Sequence, residues 1–210
     1  MSFAQAIRNR DVAFISMASF CSNYVFWTLG TWSPAIFQDA IGGGLFIASV
    51  YGAVFGLAVL PGQVILGILS DRFKRRGGRK SVFVLNYAPL TLSMVFLGLS
   101  IELFPHAGLL LLLIGISAAL VAGSWPLMYA VLAETVPSSL HGKVFGFSNL
   151  ITTLSAIPAP WLAGVLRDSS GTFALPIYIA AVMAAAGGFF AYATTPRFRL
   201  RVPVSNRATP

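Results

Sequence analysis

The chain has 210 residues, of which 57% are hydrophobic and only 10% charged, with a net charge of +8 and a mean hydropathy of +0.81. Soluble domains carry about a quarter charged residues, so this much apolar surface with so few charges to cover it excludes a fold bathed in water. The basic balance does not point to nucleic acid either, because the Lys and Arg residues lie at the ends of apolar runs rather than along a polar face.

A membrane helix needs about 20 apolar residues to cross roughly 30 Å of hydrocarbon. Val12 to Gln38 carries no charged residue and is long enough to span with some tilt. Ala40 to Ser70 opens on Ile41-Gly42-Gly43-Gly44, which reads as a turn, so the second helix is expected over 45–70. Ser81 to Ile101, Gly108 to Ala133, Val144 to Leu166 and Phe173 to Ala193 complete a set of six. Backbone groups in hydrocarbon must satisfy one another, and runs of this length are too long for barrel strands, so all six are predicted to be helices. The expected architecture is all-α and polytopic, with an N-terminal segment over 1–11, a six-helix bundle over 12–193 and a basic tail over 194–210. The first run also exceeds the roughly 7–15 residues of a signal-peptide core, and no small-residue cleavage site leads into a soluble domain.

With six spans, all but one of the 14 basic residues fall on the same side: Arg8 and Arg10, the second-to-third joint, Lys143 and the tail. The exception is Arg167. The positive-inside rule then places both termini in the cytoplasm of a multi-pass cell-membrane protein.

Glycine and proline recur inside the spans. Gly52-x-x-x-Gly56 allows close helix approach, and Pro61, Pro89, Pro126, Pro158 and Pro160 imply bends that neighbouring helices accommodate. Cys21, the single cysteine, reads as a small packing residue. No Cys/His cluster has metal-ligand spacing, so neither a metal nor another cofactor is expected.

The joint between the second and third spans is the most specific signal. It runs Gly67-Ile-Leu-Ser-Asp-Arg-Phe-Lys-Arg-Arg76, and its Gly67, Leu69, Ser70, Asp71, Arg72, Arg75 and Arg76 resemble the cytoplasmic loop motif of the major facilitator superfamily. Lys74 stands where that family prefers glycine. An aspartate at one helix end is attracted to the positive N-terminus of another, and arginines after it bridge to carboxylates or carbonyls, so such a loop biases a conformational equilibrium. Glu134-x-x-Pro137 with His141-Gly142-Lys143, Gly146 and Asn149 resembles the family's joint between the fourth and fifth helices, and His141 reads there as a loop residue near the headgroups. Gly108 to Ala133 lacks a basic residue, and Ala6 to Arg10 resembles the start of a seventh helix. The likeness is therefore to the C-terminal six-helix half of a solute:cation symporter-type member. It implies a site between two halves near mid-membrane, with either an N-terminal half or a second copy of this chain as the other wall.

No Asp, Glu, Lys or Arg lies inside the predicted spans, so the groups that usually relay protons or clamp charged substrates are missing from this wall. The resemblance makes the first and fourth helices cavity-lining. On the first, Asn23, Tyr24, Trp27 and Thr31 share a helical stripe; on the fourth, Ser124, Trp125 and Tyr129 sit beside Pro126. These seven are the candidate solute-binding residues. Trp32 reads as an interfacial belt residue, and Gln63, Asn86 and Asn149 as hydrogen bonds between helices. The expected function is half of a secondary-active transporter for a small polar or anionic solute, working by alternating access. A non-transporting membrane remnant or scaffold is the alternative. An enzyme is not expected, since no catalytic set lies at the helix ends.

Overall fold

The computed structural model describes residues 2–42, 44–73 and 78–194, and every regular element among them is a helix. A short helix α1 (Phe3–Ile7) precedes α2 (Arg10–Ile41), α3 (Leu45–Phe73), α4 (Arg79–Leu103), α5 (Ala107–Thr135), α6 (His141–Thr153), α7 (Pro158–Ser170) and α8 (Ala174–Ala193). Six segments are long and apolar enough to cross a membrane: α2, α3, α4, α5, the combined segment through α6 and α7, and α8. The basic tail lies outside the described residues beyond Thr194, as do Lys74, Arg75 and Arg76 of the loop motif.

Local chemistry sets the helix ends. Helix α1, not foreseen from the sequence, is closed by a capping box in which Ser2 and Gln5 bond each other's backbone N–H. Helix α2 starts two residues before the apolar run because Asn9 Oδ1 accepts the Asp11 N–H at 2.8 Å. Gly171 ends α7 at φ +72°, a left-handed conformation that a residue with a Cβ adopts only at a cost.

The fifth span is not the single helix that its apolar run suggested. A 3₁₀ turn over Leu154–Ala156 divides it into α6 and α7. Pro158 and Pro160 have no N–H to offer the carbonyls four residues earlier, so the α-helical ladder cannot continue. Pro34, Pro61, Pro89 and Pro126, by contrast, lie inside uninterrupted helices.

Helices α2 and α5 form the centre. Helix α2 packs on α8, α5, α3 and the fifth span, and α5 packs on α3 and α4. Lipid gives apolar side chains little reason to prefer a neighbouring helix over an acyl chain, so close backbone approach and hydrogen bonds must hold the bundle. Both are present. A Cβ at Gly62 would lie 2.2 Å from the Ala119 carbonyl oxygen, one at Gly123 within the Leu66 side chain, and one at Gly52 2.7 Å from Pro34. The close crossing is therefore centred on Gly62 and Gly123; Gly56, half of the Gly52-x-x-x-Gly56 pair, meets nothing within 4 Å.

Hydrogen bonds tie other crossings. Ser16 bonds Ser148 at 2.9 Å, Ser117 donates to Ser93 at 2.9 Å, and Tyr87 donates to the Ala18 carbonyl at 2.8 Å. Asn86 donates to the Leu120 carbonyl and to Ser124 Oγ, both at 3.0 Å, as its sequence position suggested. Gln63 makes no such bond among the described residues. Cys21 is buried beside Gly187.

Gly62→Ala should lower the thermal unfolding midpoint of the detergent-purified chain by the equivalent of about 1–3 kcal/mol, because its new methyl meets backbone rather than a movable side chain. Gly56→Ala should leave the midpoint unchanged or raise it slightly.

Candidate functional site

Midway along the bundle, α2, α5 and α6 enclose a cleft of about 200 Å³. Asn23 and Trp27 come from α2, Trp125 and Tyr129 from α5, and Asn149, Thr152 and Thr153 from α6. The lining carries no formal charge; it consists of amides, hydroxyls, a phenol and two indoles.

The break in the fifth span shapes one side of this cleft. Beside the 3₁₀ turn, Asn23 Nδ2 donates to the Thr152 carbonyl at 2.9 Å, which also accepts from Ser155 Oγ at 2.7 Å, and to Ser155 Oγ itself at 3.0 Å. A carbonyl only accepts, so this contact fixes which end of the Asn23 amide faces α6. The opposite end, Oδ1, is buried with no hydrogen-bond partner. Trp27 Nε1, one turn along on the same helix, is likewise buried and without a partner. An acceptor and a donor thus remain unspent on residues that line one cleft, a costly state unless water or a ligand meets them.

Aromatic packing holds the wall. The Phe26 ring lies 5.6 Å from Trp27, 5.2 Å from Phe55 and 5.0 Å from Trp125, and so ties the two indoles together from behind. Tyr129 donates to Asn149 Oδ1 at 3.3 Å and packs on Phe145, which stacks on His141. His141, read from the sequence as a loop residue, is the first residue of α6, where its Nε2 bonds the Val136 carbonyl at 3.1 Å.

Of the seven candidates, the fold brings Asn23, Trp27, Trp125 and Tyr129 to the cleft. Tyr24 is buried in the bundle, Thr31 is exposed outside the cleft, and Ser124 is buried against Asn86. Trp32, expected at the interface, also packs within the bundle: its Nε1 donates to the Pro160 carbonyl at 3.0 Å and its ring packs on Phe173. Asn149 does bond across helices, but it also lines the cleft with Thr152 and Thr153, which the sequence reading did not single out. A polar set at i, i+3 and i+4 in an otherwise apolar span was the signal for them.

At the basic end of the bundle, the loop motif joins three helix ends. Arg79 Nη2 donates to Asp71 Oδ1 at 2.7 Å, and its Nη1 lies 3.7 Å from Glu134 Oε1. Leu69 is partly exposed and Ser70 is buried. At the opposite end, Arg167 donates through Nε and Nη2 to Asp39 Oδ2 at 3.1 and 2.9 Å, linking α7 to α2.

This architecture has known counterparts. The family model of the Major Facilitator Superfamily matches residues 12–209. The chain belongs to that superfamily. A hexuronate transporter of Bacillus subtilis (strain 168) is 25% identical over 202 residues, covering 94% of this chain and 46% of the relative. The probable galactarate/D-glucarate transporter GudP of Escherichia coli (strain K12) is 25% identical over 171 residues, 80% of this chain and 37% of its own length. A gentisate transporter of Corynebacterium glutamicum is 27% identical over 160 residues, 72% of this chain and 32% of its own. The crystal structure of PepTSo, a POT family transporter, superposes with a TM-score of 0.71 at 15% identity, over 87% of this chain and 37% of that one. The chain thus spans less than half the length of each of these proteins.

Asn23→Ala should destabilise the purified chain by about 1 kcal/mol in thermal unfolding, since it strips donors from Thr152 and Ser155. Asn149→Ala, which removes one bond at an exposed position, should cost less than half as much.

Proposed function

We propose that this chain is the C-terminal wall of a secondary-active carrier that moves a small polar or anionic organic solute by alternating access. A second six-helix unit, an N-terminal half or another copy, forms the opposite wall. The observation that carries this reading is the uncharged polar cleft with its unspent Asn23 acceptor and Trp27 donor. Amides and hydroxyls lining a cleft in a membrane bundle are poorly matched to acyl chains, so the cleft calls for cover by protein and filling by a polar solute. The chain's length, less than half that of its relatives, supports the same conclusion.

The names of the relatives (hexuronate, galactarate/D-glucarate and gentisate transporters) favour a small organic acid. A lining without formal charge suits the hydroxyl-bearing or planar part of such a solute: amides hydrogen-bond hydroxyls, and the Trp27 and Trp125 indoles pack on a ring or chain. The countercharge for a carboxylate, and any group that couples transport to an ion, belong in this proposal to the opposite wall. The basic end carrying Arg72, Arg79 and Lys80 faces the cytoplasm, as the charge asymmetry favours. There the Arg79 contacts with Asp71 and Glu134 hold three helix ends together.

Uptake of labelled glucuronate and glucarate into liposomes tests the proposal, with the chain alone and fused to the part of the B. subtilis hexuronate transporter that it does not match. Saturable uptake by one of the two is expected, reduced at least tenfold by Trp125→Ala or Asn149→Ala. Uptake that never saturates would leave the scaffold reading instead, and saturable uptake that ignores both substitutions would overturn the cleft as the solute site. Orientation has a separate test, because the buried Cys21 gives little background. In intact cells, Arg72→Cys should resist a membrane-impermeant maleimide while Asp168→Cys reacts; the reverse pattern would invert the topology.

A further inference from the structure

On the side of the bundle formed by α4 and α8, a second concavity faces the lipid. Ala88, Thr91 and Leu92 of α4 and Ala185 and Gly188 of α8 line a groove of about 470 Å³. Through the shared Val84 it continues into a recess of about 390 Å³ at the basic end, closed by Lys80, Ser81 and Tyr192. The small residues make the channel: Ala88 and Ala185 are exposed on its floor, while Leu92 and the exposed Tyr192 stand beside it.

Charge is confined to one end. Lys80 is the charged residue lining the recess, and its Nζ donates to the backbone carbonyls of Tyr192, at 3.2 Å, and Thr194. Those two bonds hold the ammonium at the mouth of the groove and leave it a third N–H. Arg10, exposed on the far side of the α8 terminus, lies over Phe14, which packs on Phe190 of α8. Asp11 offsets part of this charge through its field on Lys80, and with Arg10 nearby through Phe14 the corner remains net positive. A cation fixed at interface depth above an apolar trough is the pattern that a phosphate head and an acyl chain fill together.

We propose that the α4–α8 groove is a binding site for one anionic phospholipid of the leaflet at the basic end, with its phosphate at Lys80 and an acyl chain lying past Val84 toward Leu92. The site is independent of the polar cleft, which is built from α2, α5 and α6. A second copy of the chain suits the groove less well, because a two-fold contact would bring Lys80-bearing corners or bare troughs face to face.

Native mass spectrometry of the purified chain, loaded with phosphatidylglycerol or phosphatidylcholine of identical acyl chains, tests this. One retained phosphatidylglycerol is expected, preferred at least tenfold over phosphatidylcholine and not displaced by 10 mM inorganic phosphate. Lys80→Gln should abolish the preference. Because that change also removes a cap from α8, Ala88→Leu provides the second arm: it fills the groove from the lipid side and leaves the cap intact. It should lose the retained lipid with an unchanged unfolding midpoint in detergent. Equal retention of both lipids, or retention unaffected by Ala88→Leu, would overturn the site. A dimer that Ala88→Leu dissolves would assign the groove to a second copy and overturn it equally.

Discussion

The constraint on which this bundle rests is that a backbone carbonyl in hydrocarbon needs a donor, and water is not there to supply one. Five spans meet it with unbroken helices. The fifth span does not, since two prolines and a 3₁₀ turn interrupt its ladder. Side chains of α2 add donors beside the break: Asn23 reaches Thr152 and Ser155, and Trp32 reaches Pro160. Two side chains nine residues apart on one helix therefore clasp the broken span on either side of its turn. The same clasp polarises Asn23, committing its nitrogen to the scaffold and leaving its oxygen buried without a partner.

Around that clasp, the remaining contacts follow the economics of a lipid-solvated protein. Glycines let backbones touch where α3 crosses α5, and serine pairs stitch α2 to α6 and α4 to α5. Each such bond contributes only about 1 kcal/mol, so their number and spacing matter more than any one of them. Ion pairs are kept to the two ends. Asp71 is 70% exposed in its pair with Arg79, so that contact contributes little to stability and is easily made and broken. In the proposed alternating-access carrier, a contact of that kind suits the end that opens.

Much of this was readable in the residues. Long uncharged runs fixed the number of spans, and Gly67, Leu69 and Asp71 pointed to the superfamily before any coordinates. Trp27, Trp125 and Tyr129 could be placed at the cleft because helices one and four of a half were known positions for a wall. What the sequence concealed were choices that depend on a partner in space. Ser124 and Trp125 are adjacent, yet one turns to Asn86 and the other to the cleft. Trp32 reads as interfacial by its distance from a span end, and its hydrogen bond to the Pro160 carbonyl of α7 depends on a helix more than a hundred residues away. Pro158 and Pro160 signalled a bend in the run from Val144 to Leu166, but hydropathy, which measures solvent preference and not hydrogen-bond continuity, did not show that it is two helices.

The Asn23 clasp also bears on how the molecule is made. Its two partners lie 129 and 132 residues downstream, so α2 is delivered to the bilayer long before the segment it will hold has been translated. Until then a buried amide waits without its acceptor, and the proline-bearing segment cannot be finished without α2. The fifth span therefore docks late against an early one, with α8 still to follow.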